Sequence, residues 1–393
     1  MIIKSVKTTM LRFRYDESIA DAQSYYDTRN AVLVHVETDE GIDGLGESAC
    51  FGGPPQITKY VIENELAPIL IGEDATNISR IWRLMFDRTV KHGRGGIVMA
   101  AMSGIDIALW DIMGKKAKIP IYKLLGGYTD KLLPYASGGF YSQTKDEKAL
   151  VEEVGRYYEQ GFRFAKIKVG RNPDVLMSSL PNMPSPNECC CTLDEDLARV
   201  EACSKVAKEF KAELMVDANN NWNTFTAIKM GREFEKMGIY WLEEPLHPDN
   251  IEGSAELAAV LDIPIAGYES EVGLFHFREY INRHAVDIVQ PDVIWSGGYT
   301  ECMKIANYAW AHNLPTMPHV FSTAVCLAAN MHFLAALGNG GMLELDRNEY
   351  PLRDELLENP IVIEKDGFIY MPQEPGLGIR LREDIVSKYT ISD

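Results

Sequence analysis

Three carboxylates at one fixed interval constrain this chain more than any other feature. Asp217, Glu243 and Glu269 stand 26 residues apart each time, and each closes a short apolar run. From Gly126-Gly127 onward, runs of this kind alternate with amphipathic segments at a spacing that predicts repeated βα units. The expected strands are residues 134–138, 164–169, 213–217, 240–243, 264–269, 287–291, 314–319 and 342–345. Helical segments lie between them, for example 224–237, 298–312 and 322–337. Eight strands alternating with helices close into a barrel more readily than they form an open sheet. Such a barrel takes ~250 residues, so a chain of 393 leaves room for a second domain.

The barrel is expected over residues 131–358, preceded by an α+β domain at 1–130 and followed by a turn-rich tail at 359–393 that packs on it. Ile2, Val6 and residues 32–36 are β-rich, with a turn at Asp39-Glu40-Gly41, while 15–30 lack a clear period and read as a loop. In SGIDIALWDIMGK (103–115), Ile105, Ala108, Leu109 and Ile112 share a helix face, with Ser103 placed to cap the start. Residues 172–191, rich in Pro, Ser, Asn and Met, interrupt the step after the second strand. They read as an insertion over the barrel mouth or an oligomer contact.

A formal net charge of -18 argues against nucleic acid, whose phosphates need a basic footprint. An anionic small molecule can still bind if local cations invert the field. Seven cysteines without framework spacing do not make a disulfide scaffold. The run Cys189–Cys191 has no C-x-x-C pair and no nearby His, so it reads as loop thiols. The N-terminus does not resemble a signal peptide and no apolar run reaches membrane-spanning length, so the expectation is a cytoplasmic protein without a membrane partner.

Charged residues then fall at nearly every strand end: Lys166 and Lys168, Asp217, Glu243 and Glu244, Glu269, Asp292, His319 and Glu344. Strand C-termini of a barrel converge on one face, so these groups describe an active site. Asp217, Glu243 and Glu269 make a hard, all-oxygen set that suits Mg²⁺. Lys166 and Lys168 alternate along one strand and point the same way, where two ammonium groups lower each other's pKa and favour a neutral base. Asp292 stands behind His319 to fix its tautomer. Lys168 and His319 could each move a proton at the carbon beside a substrate carboxylate, and Glu344, if protonated, could donate to that carboxylate. Trp222 and Trp241 read as barrel packing, and Arg347 and Arg353 either as surface ion pairs or as contacts to an anion. HGRGG (92–96) lacks the Gly-Lys-Ser/Thr ending of a phosphate loop and reads as a lead into a helix.

These motifs resemble the mandelate racemase subgroup of the enolase superfamily. KIK (166–168), VDANNNW (216–222), WLEEP (241–245), AGYES (266–270), QPD (290–292) and MPHV (317–320) follow the family's order, after SGIDIALWDIMGK and LLGG (124–127). The resemblance implies an α/β fold, a modified (β/α)₇β barrel under an α+β capping domain formed by both termini, in a homo-oligomer. It also implies Mg²⁺ on Asp217, Glu243 and Glu269, Lys168 and the His319–Asp292 dyad as acid/base pair, and Lys166 as electrostatic helper. Specificity loops would fall around 15–30 and 49–55, so Tyr25, Tyr26, Arg29 and Phe51-Gly52-Gly53 are candidate substrate contacts, with Asn219 and Tyr268 added from the metal-ligand motifs. Tyr268 stands where many members have glycine, which would narrow the pocket floor, and the 172–191 insertion is longer than usual. The segment ELDRNEYPLRDELL (344–357) looks like members acting on sugar acids and their lactones. The expected reaction is dehydration of a polyhydroxy acid to a 2-keto-3-deoxy acid. Alternatives are galactarolactone-like cycloisomerisation, 2-hydroxy acid racemisation and, from another class, a non-catalytic metal-binding scaffold.

Overall fold

The barrel strands line up in chain order in a computed structural model, which describes residues 1–51, 53–175 and 189–392. Pro134–Gly138, Phe164–Lys168, Glu213–Asp217, Leu242–Glu243, Ile265–Gly267 and Ile288–Val289 pair in parallel with their sequence neighbours, and Leu343–Asp346 returns to pair with the first. Residues 314–319, expected as a strand, are not one. Thr316 alone bridges Val289 on one side and Gly340 on the other, which closes the ring. Pro315 and Pro318 explain this, since neither carries the N–H that a ladder needs.

The two-residue period of a strand sorts its inward side chains into layers. Tyr135, Met215, Trp241, Met317 and Met342, with Ala266 and Ile288, pack as one buried plug inside the barrel. Two residues further along their own segments stand Asp217, Glu243, His319 and Glu344. The apolar layer is therefore the floor on which the ionisable layer rests.

The N-terminal sheet is antiparallel, in the order Ile3–Ala20, Tyr25–Thr38, Gly44–Ser48. The stretch 15–30, expected as a loop, is a continuation of this hairpin to Ala20 opposite Tyr25, with only four residues turning. A register shift between Arg14 and Ile19 breaks the alternation that would have revealed the strand. Asp21 closes the turn: one carboxylate oxygen accepts from the backbone of Gln23 and Ser24, and the other from the Tyr26 hydroxyl. The hairpin tip is sewn to the barrel by paired backbone bonds between Ala20 and Tyr141 of 2.8 and 2.9 Å.

The long helix Gly96–Ala117 begins a full two turns before Ser103, which is interior rather than a cap and donates to the Met99 carbonyl. It lies so close to the sheet that a Cβ on Gly46 would sit 2.1 Å from the Gly104 carbonyl oxygen. Among the described residues it is the one helix long and apolar enough to cross a membrane, a length the sequence reading did not find, and it is largely buried inside this fold. In the tail, Ile369–Tyr370 pairs with Lys131–Leu132, and Thr390, just beyond the helix Glu383–Tyr389, bridges Leu11. The centre of the insertion, 176–188, lies outside the described residues. Its stem is pinned by Asn172, which donates to the Cys191 carbonyl and to Asp196.

One buried imidazole locks three of these parts together. His332, on the helix Ala324–Ala336, accepts from the Tyr122 backbone N–H through Nδ1 and donates from Nε2 to the Leu377 carbonyl. Burial pushes its pKa down to about 4. The folded state then binds fewer protons than the unfolded state between pH 6.5 and 4, so stability falls as pH falls through that window. The expected loss is about 1.4 kcal/mol for each pH unit. It is read as the difference between wild type and His332→Gln in urea titrations at each pH, and a parallel pH response of the two proteins would refute it.

Candidate active site

Asp217, Glu243 and Glu269 each offer an oxygen within 4.8 Å of the others at the top of the barrel. Lys166 reaches into this group from the second strand, paired closely with Glu243 and lying 3.0 Å from Glu344 and 3.6 Å from Asp217. Lys168 pairs closely with Asp217. On the far side, His319 Nδ1 is 2.9 Å from Asp292 Oδ2, and its Nε2 is 3.4 Å from Glu269 Oε2. The groups expected from the strand ends are thus together in one cluster, buried except for half-buried Glu269, with Glu244 beside them accepting from Asn220 and Ser270.

The electrostatics differ from expectation at two points. Burial, the largest effect, and Lys166 each lower the pKa of Lys168, but the carboxylates of Asp217, Glu269 and Asp21 together leave it raised. Lys166 is likewise raised, because Glu243 and Glu344 more than offset burial. Opposite charges, not the neighbouring ammonium, dominate each lysine. Glu344 was expected to be a proton donor. Burial alone would raise it, yet Lys166 and His319 hold its carboxyl below the usual range. It is an anion that accepts from the Val320 backbone N–H at 2.9 Å. His319 is pushed up to about 10, since Glu269 and the Asp292 hydrogen bond overcome the effect of burial.

The donor set fits a divalent cation. Glu269 Oε2 and Asn219 Oδ1 are buried without a hydrogen-bond partner, a costly state for polar atoms that ligation or a bound polyol would relieve. Among the described residues, six carboxyl groups (Asp217, Glu243, Glu244, Glu269, Asp292 and Glu344) also face three cationic side chains, Lys166, Lys168 and His319. The all-oxygen ligands match Mg²⁺ and not a thiophilic metal.

Tyr25, Arg29 and Phe51 line a cavity of about 300 Å³ together with Tyr26, Cys50 and Phe321. Phe51 and Phe321 connect it to the cluster, their ring centroids lying 5.6 and 6.3 Å from that of His319. Arg29 nevertheless has its charge committed. It is buried, pairs with Asp346 at 2.5 Å, and lies between the rings of Phe321 and Tyr350 at 3.8 and 3.7 Å. Arg353 joins the same carboxylate at 3.3 Å. Tyr268 does not narrow the pocket. Its side chain turns outward from the barrel into the helical layer, where its hydroxyl bonds Ser254 and its ring packs on Tyr280; the strand ends at Gly267, so the alternation that points Ala266 inward does not extend to it. Gly52 lies outside the described residues. Trp222 and Trp241 are packed and hydrogen-bonded, to Asn172 and Glu243 respectively. Sequence reading missed Phe140, whose ring faces the Lys168 ammonium at 4.9 Å and stacks on Phe321. The available signal was its place just past the first strand end.

The Arg29–Asp346 pair joins the N-terminal sheet to the barrel, and removing Arg29 leaves the buried Asp346 carboxylate with the more distant Arg353 at 3.3 Å as its cation. Arg29→Leu is expected to cost about 3–5 kcal/mol of folding stability, read by chemical denaturation. A variant of unchanged stability but weakened ligand binding would instead restore Arg29 as a free substrate cation.

Comparison with known proteins gives this geometry its context. Residues 10–126 match the family described as Mandelate racemase / muconate lactonizing enzyme, N-terminal domain, and residues 149–385 match Enolase C-terminal domain-like. Arabinonate dehydratase of Saccharolobus solfataricus is 39% identical over 358 residues, 91% of this chain and 90% of that one. D-galactarolactone cycloisomerase of Agrobacterium fabrum is 32% identical over 403 residues, covering 100% of both. The crystal structure of a racemase from Streptomyces coelicolor with bound magnesium superimposes with a TM-score of 0.86 at 28% identity, over 99% of this chain and 100% of that one. The chain belongs to the mandelate racemase/muconate lactonizing enzyme family of the enolase superfamily.

Proposed function

We propose that this enzyme dehydrates a polyhydroxy (sugar) acid to a 2-keto-3-deoxy acid. The observation that carries the reading is the placement of Lys168 and the His319–Asp292 pair on opposite sides of one carboxylate cluster. Asp217, Glu243 and Glu269 would hold Mg²⁺. When bound, the ion supplies Lewis acidity and positive charge at the substrate carboxylate oxygens.

The residues of the chain do the rest. Lys166, buried among carboxylates and permanently cationic here, adds a fixed positive charge where the substrate carboxylate gains electron density. Lys168 takes the α-proton, and can do so only when Asp217 is committed to another cation. His319 keeps its Nδ1–H on Asp292 and presents Nε2 to the substrate. As the electrons released at the α-carbon expel the β-hydroxyl, a proton from Nε2 converts that hydroxyl to water, and the enol left behind tautomerises to the keto acid. The aromatic rings of Phe51, Phe140 and Phe321 limit water around both proton carriers. The 39% identity with arabinonate dehydratase supports this reading.

A second reading, cycloisomerisation of a sugar lactone, uses the same two groups and is supported by full-length similarity to D-galactarolactone cycloisomerase. Both are tested by incubating the purified protein and Mg²⁺ with a panel of sugar acids and lactones, reading keto acid formation and, in D₂O, label at the α-carbon. Keto acid lost in Lys168→Ala and His319→Asn establishes dehydration. Lactone loss without keto acid from acyclic acids establishes cycloisomerisation, and label alone points to racemisation. Silence across the panel overturns the sugar-acid substrate class or leaves a metal-binding scaffold. A separate Mg²⁺ titration by calorimetry is expected to show Asp217→Asn binding more than about tenfold more weakly than wild type, and equal affinity would remove Asp217 from the ligand set.

A further inference from the structure

Behind His319 the structure continues one residue further than the dyad. Asp292 is wholly buried, and its two carboxylate oxygens have separate duties. Oδ2 faces the imidazole at 2.9 Å. Oδ1 accepts from the Ile294 backbone N–H at 3.1 Å and from the side-chain amide of Asn330 at 3.0 Å. Asn330 is itself fully buried and fully used. Its second amide proton has the Cys326 carbonyl at 3.2 Å, and its Oδ1 accepts from the Val293 backbone N–H at 3.1 Å. One amide therefore holds both the carboxylate and the backbone beside it, a geometry that fixes the plane of Asp292 and hence the imidazole aligned on Oδ2.

The helix that carries Asn330, Ala324–Ala336, is itself anchored at its start. Glu47 of the N-terminal sheet accepts from the Thr323 hydroxyl at 2.5 Å, from the Cys326 backbone N–H at 2.8 Å and from the Ser322 hydroxyl. A carboxylate at a helix N-terminus is favoured by the helix dipole and by the unpaired N–H groups there. The position of Asn330 is set from the first domain, and the orientation of Asp292 from Asn330.

We propose that Asn330 is a positioning residue for His319-side proton transfer and has no comparable part in transfer at Lys168. The inference rests on the assignment of His319 and Lys168 as the two proton carriers. Nothing in the described contacts links Asn330 to Lys168, so the two sides should separate.

The test measures deuterium exchange at the α-carbon in D₂O with the Mg²⁺-loaded protein, using pairs of pentonates and hexonates that differ only at C2, such as D-arabinonate and D-ribonate. Members of a pair present their α-proton to opposite sides. In Asn330→Ala and Asn330→Ser, His319-side exchange is expected to fall about 10–100-fold, with Lys168-side exchange within about twofold of wild type. Preserved Lys168-side exchange also certifies the fold and the metal site. Alongside, the downfield proton resonance of His319 Nδ1–H, identified by its loss in His319→Asn, should shift or broaden in both variants. Equal loss on both sides, or no loss on either with an unchanged resonance, overturns the proposal. If the wild type exchanges neither epimer of any pair, the functional reading fails instead, and the proton resonance alone decides the role of Asn330.

Discussion

Water is nearly excluded from a barrel mouth that holds more negative than positive side chains. Burying one unpaired carboxylate is expensive, and this site buries several at once. The lysines absorb part of that cost by sitting within the cluster, Lys166 between Glu243 and Glu344, Lys168 against Asp217. The remaining deficit makes cation binding an electrostatic demand of the fold as well as a catalytic device. It also explains why the floor beneath must be so rigid. Tyr135, Met215, Trp241 and Met317 leave the charged layer no route to relax downward.

The second consequence is that the first domain cannot be a passive cover. The Ala20–Tyr141 backbone pair, the Arg29–Asp346 ion pair and the Glu47 contacts to Thr323 and Cys326 all cross from the N-terminal sheet to strand ends or to segments just beyond them. Asp346 and Thr323 stand within a few residues of Glu344 and His319, and Tyr141 lies just past the end of the first barrel strand. Arg347 and Arg353 belong to this scaffolding too: Arg353 shares Asp346 with Arg29, and Arg347 reaches Gln160. Seating the domain and aligning the site are one event energetically.

Most of the barrel was legible in the sequence because two periods coincide there. The strand period of two puts every second residue inward, and the βα repeat puts strand ends at regular intervals, so Asp217, Glu243 and Glu269 declared both register and chemistry. The segment around Thr316 was misread as a strand because its apolar residues fit the pattern while its prolines forbid the ladder. The hairpin between Arg14 and Ile19 was misread in the opposite sense, its register shift hiding true strands. In the site, identity was readable but charge state was not. Whether Glu344 is acid or anion depends on Lys166 standing 3.0 Å away, which no spacing reveals. Tyr268 was assigned to the wrong side, because the strand ends at Gly267 and the alternation that points Ala266 inward stops short of it. Asn330 left no trace as a partner of Asp292, since the two are 38 residues apart on different elements.

The lone bridge at Thr316 has a consequence for how such a barrel can change over time. Every other wall segment is held in a ladder of at least two residue pairs, so altering its course would tear the sheet. The stretch bearing His319 hangs from one residue, Thr316, by single bridges to Val289 and Gly340, and it is steadied from outside by Glu344 and by the loop that Glu47 grips. It can therefore drift, lengthen or exchange its proton carrier while the ring of strands and the carboxylates on it stay intact. The barrel thus has a hard side that conserves metal chemistry and a soft side on which new reactions can be tried.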